Sequence, residues 1–390
     1  MTHLLPFLIS LNILAILWIA IKRWEGYYED MRFAFSTLTL LFFSQFLDLP
    51  IFIPGSSLLI LTGVYVFNLL DKEGMIERVL AFLMVGITLS FLGGISIISL
   101  RGSVPDTEFI LFLVTIGTVT GLLLHLIRKD AVITFVGSAM VMWIFIYFGI
   151  RVDLYHLLFA FLFSLILGLI SYRERAVEIT GVVAGTMLGM LLIIFGDIRW
   201  FLIAFLFSLL GSIFTRYRFE AKLRAGIAQE KSGVRSYRNV FANGLVGLAM
   251  AIAYGKYQDP IFIVGFLASF ASATGDTLAS EIGQTSRDQP ILITTFEPVP
   301  PGTDGGITVL GELAAIFGAF ILVLAAYIMG MGNGYCIIAA FVGGFMGVNF
   351  DSLLGATLER GGVLGNDGVN LLSTAFAAVV AAAIFYIIQV

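Results

Sequence analysis

Acidic side chains set into apolar runs are where this sequence could do chemistry. Asp276, Ser280 and Gly283 fall at i, i+4 and i+7 and share one face of a helix, whereas Glu281, five residues from Asp276, points about 140° away. Asp351, followed by Ser352, lies near the end of another apolar run. Such carboxylates are hard oxygen ligands of the kind Mg2+ takes alongside substrate phosphates, which makes Asp276, Glu281 and Asp351 the candidate metal ligands. The plain alternative is a set of helix-end carboxylates solvated by lipid headgroups. Asp304 and Asp367, expected on the same side of the membrane, favour the chemical reading. His3, His125 and His156 stand alone, without the i, i+4 spacing of a metal pair, and read as structural or interfacial.

Phosphate-binding groups are also available. The segment from Thr294 and Thr295 to Gly306 cannot be a plain helix, because Pro298, Pro300 and Pro301 remove donors and Gly302, Gly305 and Gly306 permit φ above zero. It must be a shaped loop. Its Gly302-Thr303-Asp304-Gly305-Gly306 stretch runs into an apolar helix, so its free N–H groups and the helix N-terminus could hold a phosphate. Asp304 could instead be a simple N-cap, although contact with ligand or metal is the favoured reading and the two roles are compatible. Between Arg216 and Arg238 the chain carries seven basic and two acidic residues, enough to attract anionic lipid. Its end places Lys231, Arg235 and Arg238 beside Asn239 and Asn243, at i, i+4 on the entering helix, as a candidate triphosphate clamp. Asn366, Asp367 and Asn370 complete the polar set. No P-loop exists to do this work, since the one Gly-Lys pair, Gly255-Lys256, is followed by Tyr257.

The elements that must position these residues are membrane helices. Of 390 residues, 59% are hydrophobic and only 12% charged, with a mean hydropathy of +1.00; a water-soluble fold is excluded. Breaks at charged or Gly/Pro-rich clusters predict an all-α polytopic bundle of about fourteen crossings, twelve at the least. The segments are 4–21, 33–49, 53–70, 78–100, 107–127, 131–150, 153–172, 177–196, 199–215, 239–254, 261–282, 306–330, 335–357 and 368–389. The first lacks a basic flank and a cleavage site, and reads as a retained helix. Near Asp48, Pro50, Pro54 and Gly55 the chain makes either a tight turn or a re-entrant bend. With fourteen crossings, 18 of the 22 Lys and Arg residues fall in one set of loops, which places that set in the cytoplasm and both termini outside. The four polar clusters then converge on the cytoplasmic side, although they played no part in choosing the orientation.

Residues 1–171, about seven helices, hold few polar groups beyond Asp48 and read as an accessory membrane domain; residues 172–390, about seven more, read as catalytic. The ladders Gly181, Gly185, Gly189 and Gly343, Gly347 read as scaffold that lets helices approach closely. The single cysteine, Cys336, excludes an internal disulfide and a cysteine-based metal cluster.

Several stretches taken together form a recognisable set: Arg238-Asn239-Val240 with Asn243-Gly244, Thr277 to Gly283, Ile293 to Phe296, Pro300 to Gly306, and Asp351 to Ala356. From about Arg175 to Val390, starting at Ile179-Thr180-Gly181, the chain resembles the integral membrane family that includes the plant phytyl-phosphate kinase of the vitamin E pathway. That resemblance implies a prenyl-phosphate kinase: an isoprenyl monophosphate (phytyl, geranylgeranyl or polyprenyl phosphate) as acceptor, CTP or another nucleoside triphosphate as donor, and Mg2+ as cofactor. It also implies distant kinship with CTP-dependent polyprenol kinases and CDP-diacylglycerol synthases. Asp276, Glu281, Asp304 and Asp351 are then the catalytic candidates, and Lys231, Arg235, Arg238, Asn239, Asn243, Thr294, Thr295, Gly302, Thr303, Gly305, Gly306, Ser352, Asn366, Asp367 and Asn370 the nucleotide- and phosphate-binding ones. Membrane lipids are expected partners, nucleic acid is not, and a homodimer is left open. The expected location is the cell membrane of a prokaryote, with the site at its cytoplasmic edge. Two rivals use the same groups: a cytidylyltransferase that attacks the α-phosphorus and releases pyrophosphate, and a lipid or ion transporter.

Overall fold

The computed structural model describes Thr37, Thr39 and residues 49–150, 152–216 and 234–389. Twelve α-helices stand among the described residues, each overlapping one of the predicted segments. In chain order they are α1 (Phe52–Leu69), α2 (Met75–Leu100), α3 (Thr107–Arg128), α4 (Ala131–Ile146), α5 (Leu154–Arg173), α6 (Ile179–Phe195), α7 (Ile198–Arg216), α8 (Tyr237–Tyr257), α9 (Pro260–Gly283), α10 (Val309–Ile328), α11 (Gly334–Leu354) and α12 (Asn366–Gln389). Segment 4–21, with His3, and segment 33–49, with Asp48, fall outside the described residues apart from Thr37, Thr39 and Leu49.

Twelve of the fourteen expected segments thus carry a described helix, and the other two lie almost wholly outside the described residues. Nine of the twelve helices are long and apolar enough to cross a membrane. Helices α4 and α6, with 16 and 17 residues, are shorter apolar helices. At 1.5 Å per residue they span roughly 25 Å, less than the hydrocarbon core of about 30 Å. Helix α8 has the length, at 21 residues, but Arg238, Asn239, Asn243 and Lys256 dilute its apolar character. The architecture is a helical membrane bundle.

The chain divides into two compact units, Met1–Leu157 and Leu158–Val390. In the first, Ser56 and Ser90 exchange hydroxyl-to-carbonyl hydrogen bonds of 3.0 and 2.9 Å between α1 and α2. Such pairing satisfies polar groups that would be costly to leave bare in hydrocarbon. His125 is buried against the rings of Phe67 and Phe82, at centroid distances of 5.3 and 6.4 Å, which is a packing role. Pro54 and Gly55 form no bend; they sit in the first turn of α1, where a missing N–H costs little.

In the second unit small residues set the helix spacing. A Cβ on Gly275 of α9 would stand 3.0 Å from the Ala315 carbonyl oxygen of α10, and one on Gly283 would stand 3.1 Å from the Cα of Gly311. On the other side of α9, Gly344 and Gly347 of α11 receive Ala271 and Ser272. Gly343 receives Ala381 of α12. Helices α10, α11 and α12 thus close around α9, the geometry that small residues give a membrane bundle. Between α9 and α10 the chain forms a shaped loop with a short antiparallel ribbon, β1 (Ile291–Leu292) on β2 (Gly306–Ile307).

Candidate active site

Close approach of α9 to α11 brings two carboxylates together. The carboxyl groups of Asp276 and Asp351 lie within hydrogen-bonding reach of each other. Ser373 of α12 donates its hydroxyl to Asp351 Oδ2 at 2.8 Å, which fixes the Asp351 rotamer. Asn370, one turn earlier, is buried; its carbonyl accepts from Thr374 at 2.9 Å and stands 3.1 Å from the same Ser373 hydroxyl, as an alternative acceptor.

This pair lines a polar cavity of about 190 Å³ at the polar ends of α9 to α12. Asp276, Ser280 and Gly283 form one wall, as their spacing on α9 requires. Ser352, Glu312, Glu359 and Asn366 belong to the neighbouring helix ends. Asp288, Gly302, Thr303, Asp304, Gly305 and Gly306 come from the loop. Six carboxylates therefore face one cavity, with no lysine or arginine among its lining residues. Like charges so close repel unless cations or protons intervene.

The loop owes its shape to glycine. Gly302 and Gly305 adopt φ of +83° and +76°, the left-handed region that glycine occupies without a Cβ penalty. Gly305 also presses on the backbone of Ala356, in a π-helical turn, Gly355–Glu359, that ends α11. Asp304 is thereby held beside Glu359, near enough for their charges to interact. Capping of α10 falls to Thr308, which accepts the Gly311 N–H at 3.0 Å, so Asp304 is not the N-cap.

The basic cluster divides. Lys231 lies outside the described residues. Arg238 is exposed and reaches Asp367 at 3.9 Å, beside Asn366 of the carboxylate cavity. Arg235 instead turns inward, its guanidinium 4.7 Å above the Phe207 ring and in the space that Gly211 leaves free. Burial pushes its pKa down to about 10 and the charge of Glu281 opposes the shift, so it stays cationic at neutral pH. Asn239 completes a capping box with Ser236, accepting the Ser236 N–H at 3.1 Å, and Asn243 donates to the Asn239 carbonyl at 3.0 Å. Thr294 and Thr295 are exposed at the turn beyond β1 and do not line the cavity. Glu281, only 2% exposed, is also absent from its lining and faces the Arg235 side of α9.

The sequence pattern of the integral membrane protein family DUF92 matches residues 162–378, more than half of the chain. The chain belongs to this family. An uncharacterized membrane protein of Methanocaldococcus jannaschii is 34% identical over 220 residues, 56% of this chain and 90% of that one. One from Synechocystis is 35% identical over 187 residues, 47% of this chain and 72% of the relative. The chloroplast protein VTE6 of Arabidopsis thaliana is 28% identical over 214 residues, 52% of this chain and 63% of its own length. No solved structure matches the chain.

The DUF92 match encloses every residue of the cavity. Its donor set suits a hard cation in one particular way. No group of three His, Cys, Asp or Glu residues with metal-holding geometry occurs among the described residues, so an all-protein cage is missing. Two touching carboxylates on rigid helices, with remaining positions left to phosphate oxygens and water, are what Mg2+ commonly accepts. Sequence reasoning missed Glu312, Glu359, Asp288 and Ser373. Glu312 is a single charge in an apolar helix, and its partner Asn349, whose amide lies 3.5 Å from its carboxylate, sits on a different helix, 37 residues away in sequence.

Proposed function

We propose that this DUF92 protein is a phosphotransferase that moves the terminal phosphoryl group of CTP, or another nucleoside triphosphate, to an isoprenyl monophosphate. The observation that carries the reading is the contact of Asp276 with Asp351 at the wall of a six-carboxylate cavity. Anionic phosphates would enter such a place only with cations. Asp276 and Asp351 would hold Mg2+, which would supply positive charge to neutralise the phosphates. The motif resemblance to the phytyl-phosphate kinase family, and VTE6 among the relatives, support the acceptor.

The chain's own groups do the remaining work. An isoprenyl phosphate is already ionised at neutral pH, so transfer needs positioning and charge control more than a general base. Its phosphate oxygen attacks the γ-phosphorus, the bond to the β–γ bridging oxygen breaks, and the products are isoprenyl diphosphate and the nucleoside diphosphate. The N–H groups of Gly302, Asp304 and Gly305 would orient the triphosphate, those of Thr303 and Gly306 being spent on the turn itself, and Arg238 at the rim would offset its charge. A transporter is disfavoured because α9 is buried without a break from Val264 to Gly275 and holds no charged side chain along that stretch.

Product analysis tests the reading directly. Purified protein with labelled CTP, Mg2+ and a panel of phytyl, geranylgeranyl and longer prenyl phosphates is expected to yield CDP and a lipid heavier by one phosphoryl group. Release of pyrophosphate would instead identify a cytidylyltransferase, and no product with any acceptor would reject both.

The same reading places the site at the cytoplasmic face of a prokaryotic cell membrane. Cysteines placed at Ser286 and Thr303, both on the cavity lining, should react with a membrane-impermeant maleimide only from the cytoplasmic side. The native Cys336, 1% exposed, gives little background. Labelling of either position from outside would reverse the orientation.

A further inference from the structure

On another face of α9, about 120° around the helix from Asp276, Phe270 reaches a second cavity of about 110 Å³ walled mainly by α5 to α8. Its lining is apolar and small, with Gly168, Gly185 and Gly244 set among the rings of Phe201, Phe205 and Phe270. Gly185 does not act as close-packing scaffold. A Cβ there would meet nothing within 4 Å, although Gly181 and Gly189 on the same face are tightly opposed, by the Arg235 carbonyl and by Phe201. Gly168 and Ser171 on α5 and Ala204, Phe205 and Ser208 on α7 are half-exposed, so the slot opens sideways between these two helices. That is the direction from which a membrane-held chain enters.

One end of the slot is charged. The guanidinium of Arg235 lines it together with Asn239, and Gly211 is the residue whose missing side chain gives it room. Arginine carries five N–H donors, yet no hydrogen bond from this guanidinium to an acceptor occurs among the described residues. Glu281 acts on it through its charge, but no salt bridge joins them. A cation with no acceptor among the described residues, at the end of an apolar slot, calls for an anion attached to a hydrocarbon chain.

We propose that this slot holds the chain of the isoprenyl monophosphate, with its phosphate against Arg235 and Asn239. The assignment rests on the proposed function for the identity of the lipid. Three residues beyond Arg235, Arg238 already faces Asp367 at the rim of the carboxylate cavity, so the first turn of α8 connects the two sites. Cavity one then takes the nucleotide, and cavity two the acceptor.

The test separates binding from catalysis. Full-length protein in phosphatidylcholine nanodiscs is titrated with radiolabelled phytyl phosphate, without nucleotide. Gly185→Leu, which fills open space, and Arg235→Gln should each weaken binding at least tenfold, and phytol, lacking the phosphate, should bind Gly185→Leu weakly but Arg235→Gln as it binds wild type. Should either variant fold poorly, a diazirine-bearing phytyl phosphate on the wild-type protein should cross-link to α6 and α7 near Gly185 and Phe205. Unchanged affinity in both variants, or cross-links confined elsewhere, would overturn the slot while leaving the kinase reading intact if CDP is still formed. Displacement of the probe by phosphatidylglycerol in the nanodisc would assign the slot to bilayer lipid and overturn the proposal. Slot-dependent binding without phosphoryl transfer would uphold the slot and reject the kinase.

Discussion

Asp351→Asn is expected to lower phosphoryl transfer by about a hundredfold or more, since charge stabilisation through a bound cation is worth several kcal/mol at the transition state. Asparagine keeps the shape of the site. Its carbonyl oxygen can still accept from Ser373, which donates to Asp351 at 2.8 Å, and its amide can donate to Asp276. What disappears is one negative charge from a touching pair, so thermal stability should be kept or raised while turnover falls. Asp276→Asn should behave alike. Initial rates at saturating CTP, measured with melting temperature on the same preparations, check both; near-normal rates in the two variants would move the cation to Asp304 and Glu359.

Gly275→Val should be the most damaging change at a residue that is not itself a carboxylate. At this position a Cβ already stands 3.0 Å from the Ala315 carbonyl and 2.8 Å from Val348 Cγ2, and a branched side chain adds two more methyl groups. Overpacking of this kind typically costs about 1–3 kcal/mol. Backbone atoms cannot yield as a flexible side chain would, so α10 and α11 must move away from α9. The predicted result is a melting temperature lower by several degrees in detergent, and a rate loss because Asp276 and Asp351 separate. Gly185→Ala, whose methyl enters open space, should leave the melting temperature unchanged or slightly higher. Equal effects of the two substitutions would show that helix spacing does not control the site.

Hydropathy was enough to reveal the helices, because an apolar run near twenty residues has few other uses, and all twelve described helices coincide with predicted segments. It reads length less well than presence, since the runs at α4 and α6 form helices of only 16 and 17 residues. The i, i+4, i+7 spacing of Asp276, Ser280 and Gly283 was legible because it depends only on one helix. By the same geometry Glu281 had to diverge, yet counting carboxylates by their side of the membrane grouped it with Asp276. The companionship of Asp351 with Ser373, or of Glu312 with Asn349, depends on which helices touch, and that is decided by which glycine meets which neighbour across the bundle. The basic run could not be parted by sequence, since Arg235 and Arg238 differ only in which way the chain turns before α8.

The unbroken buried stretch of α9, Val264 to Gly275, has a bearing on the cell as well as on the reaction. An acidic hollow sunk into a membrane is a hazard to any compartment that stores energy as an ion gradient. A seam of water through the bundle would let protons or metal ions drain through it, and each charge crossing at 100 mV dissipates about 2.3 kcal/mol. Tight contacts of Gly275 with Ala315 and of Gly344 with Ala271 lie just beyond the hollow and close that seam. The glycines that bring the carboxylates together thus also act as electrical insulation.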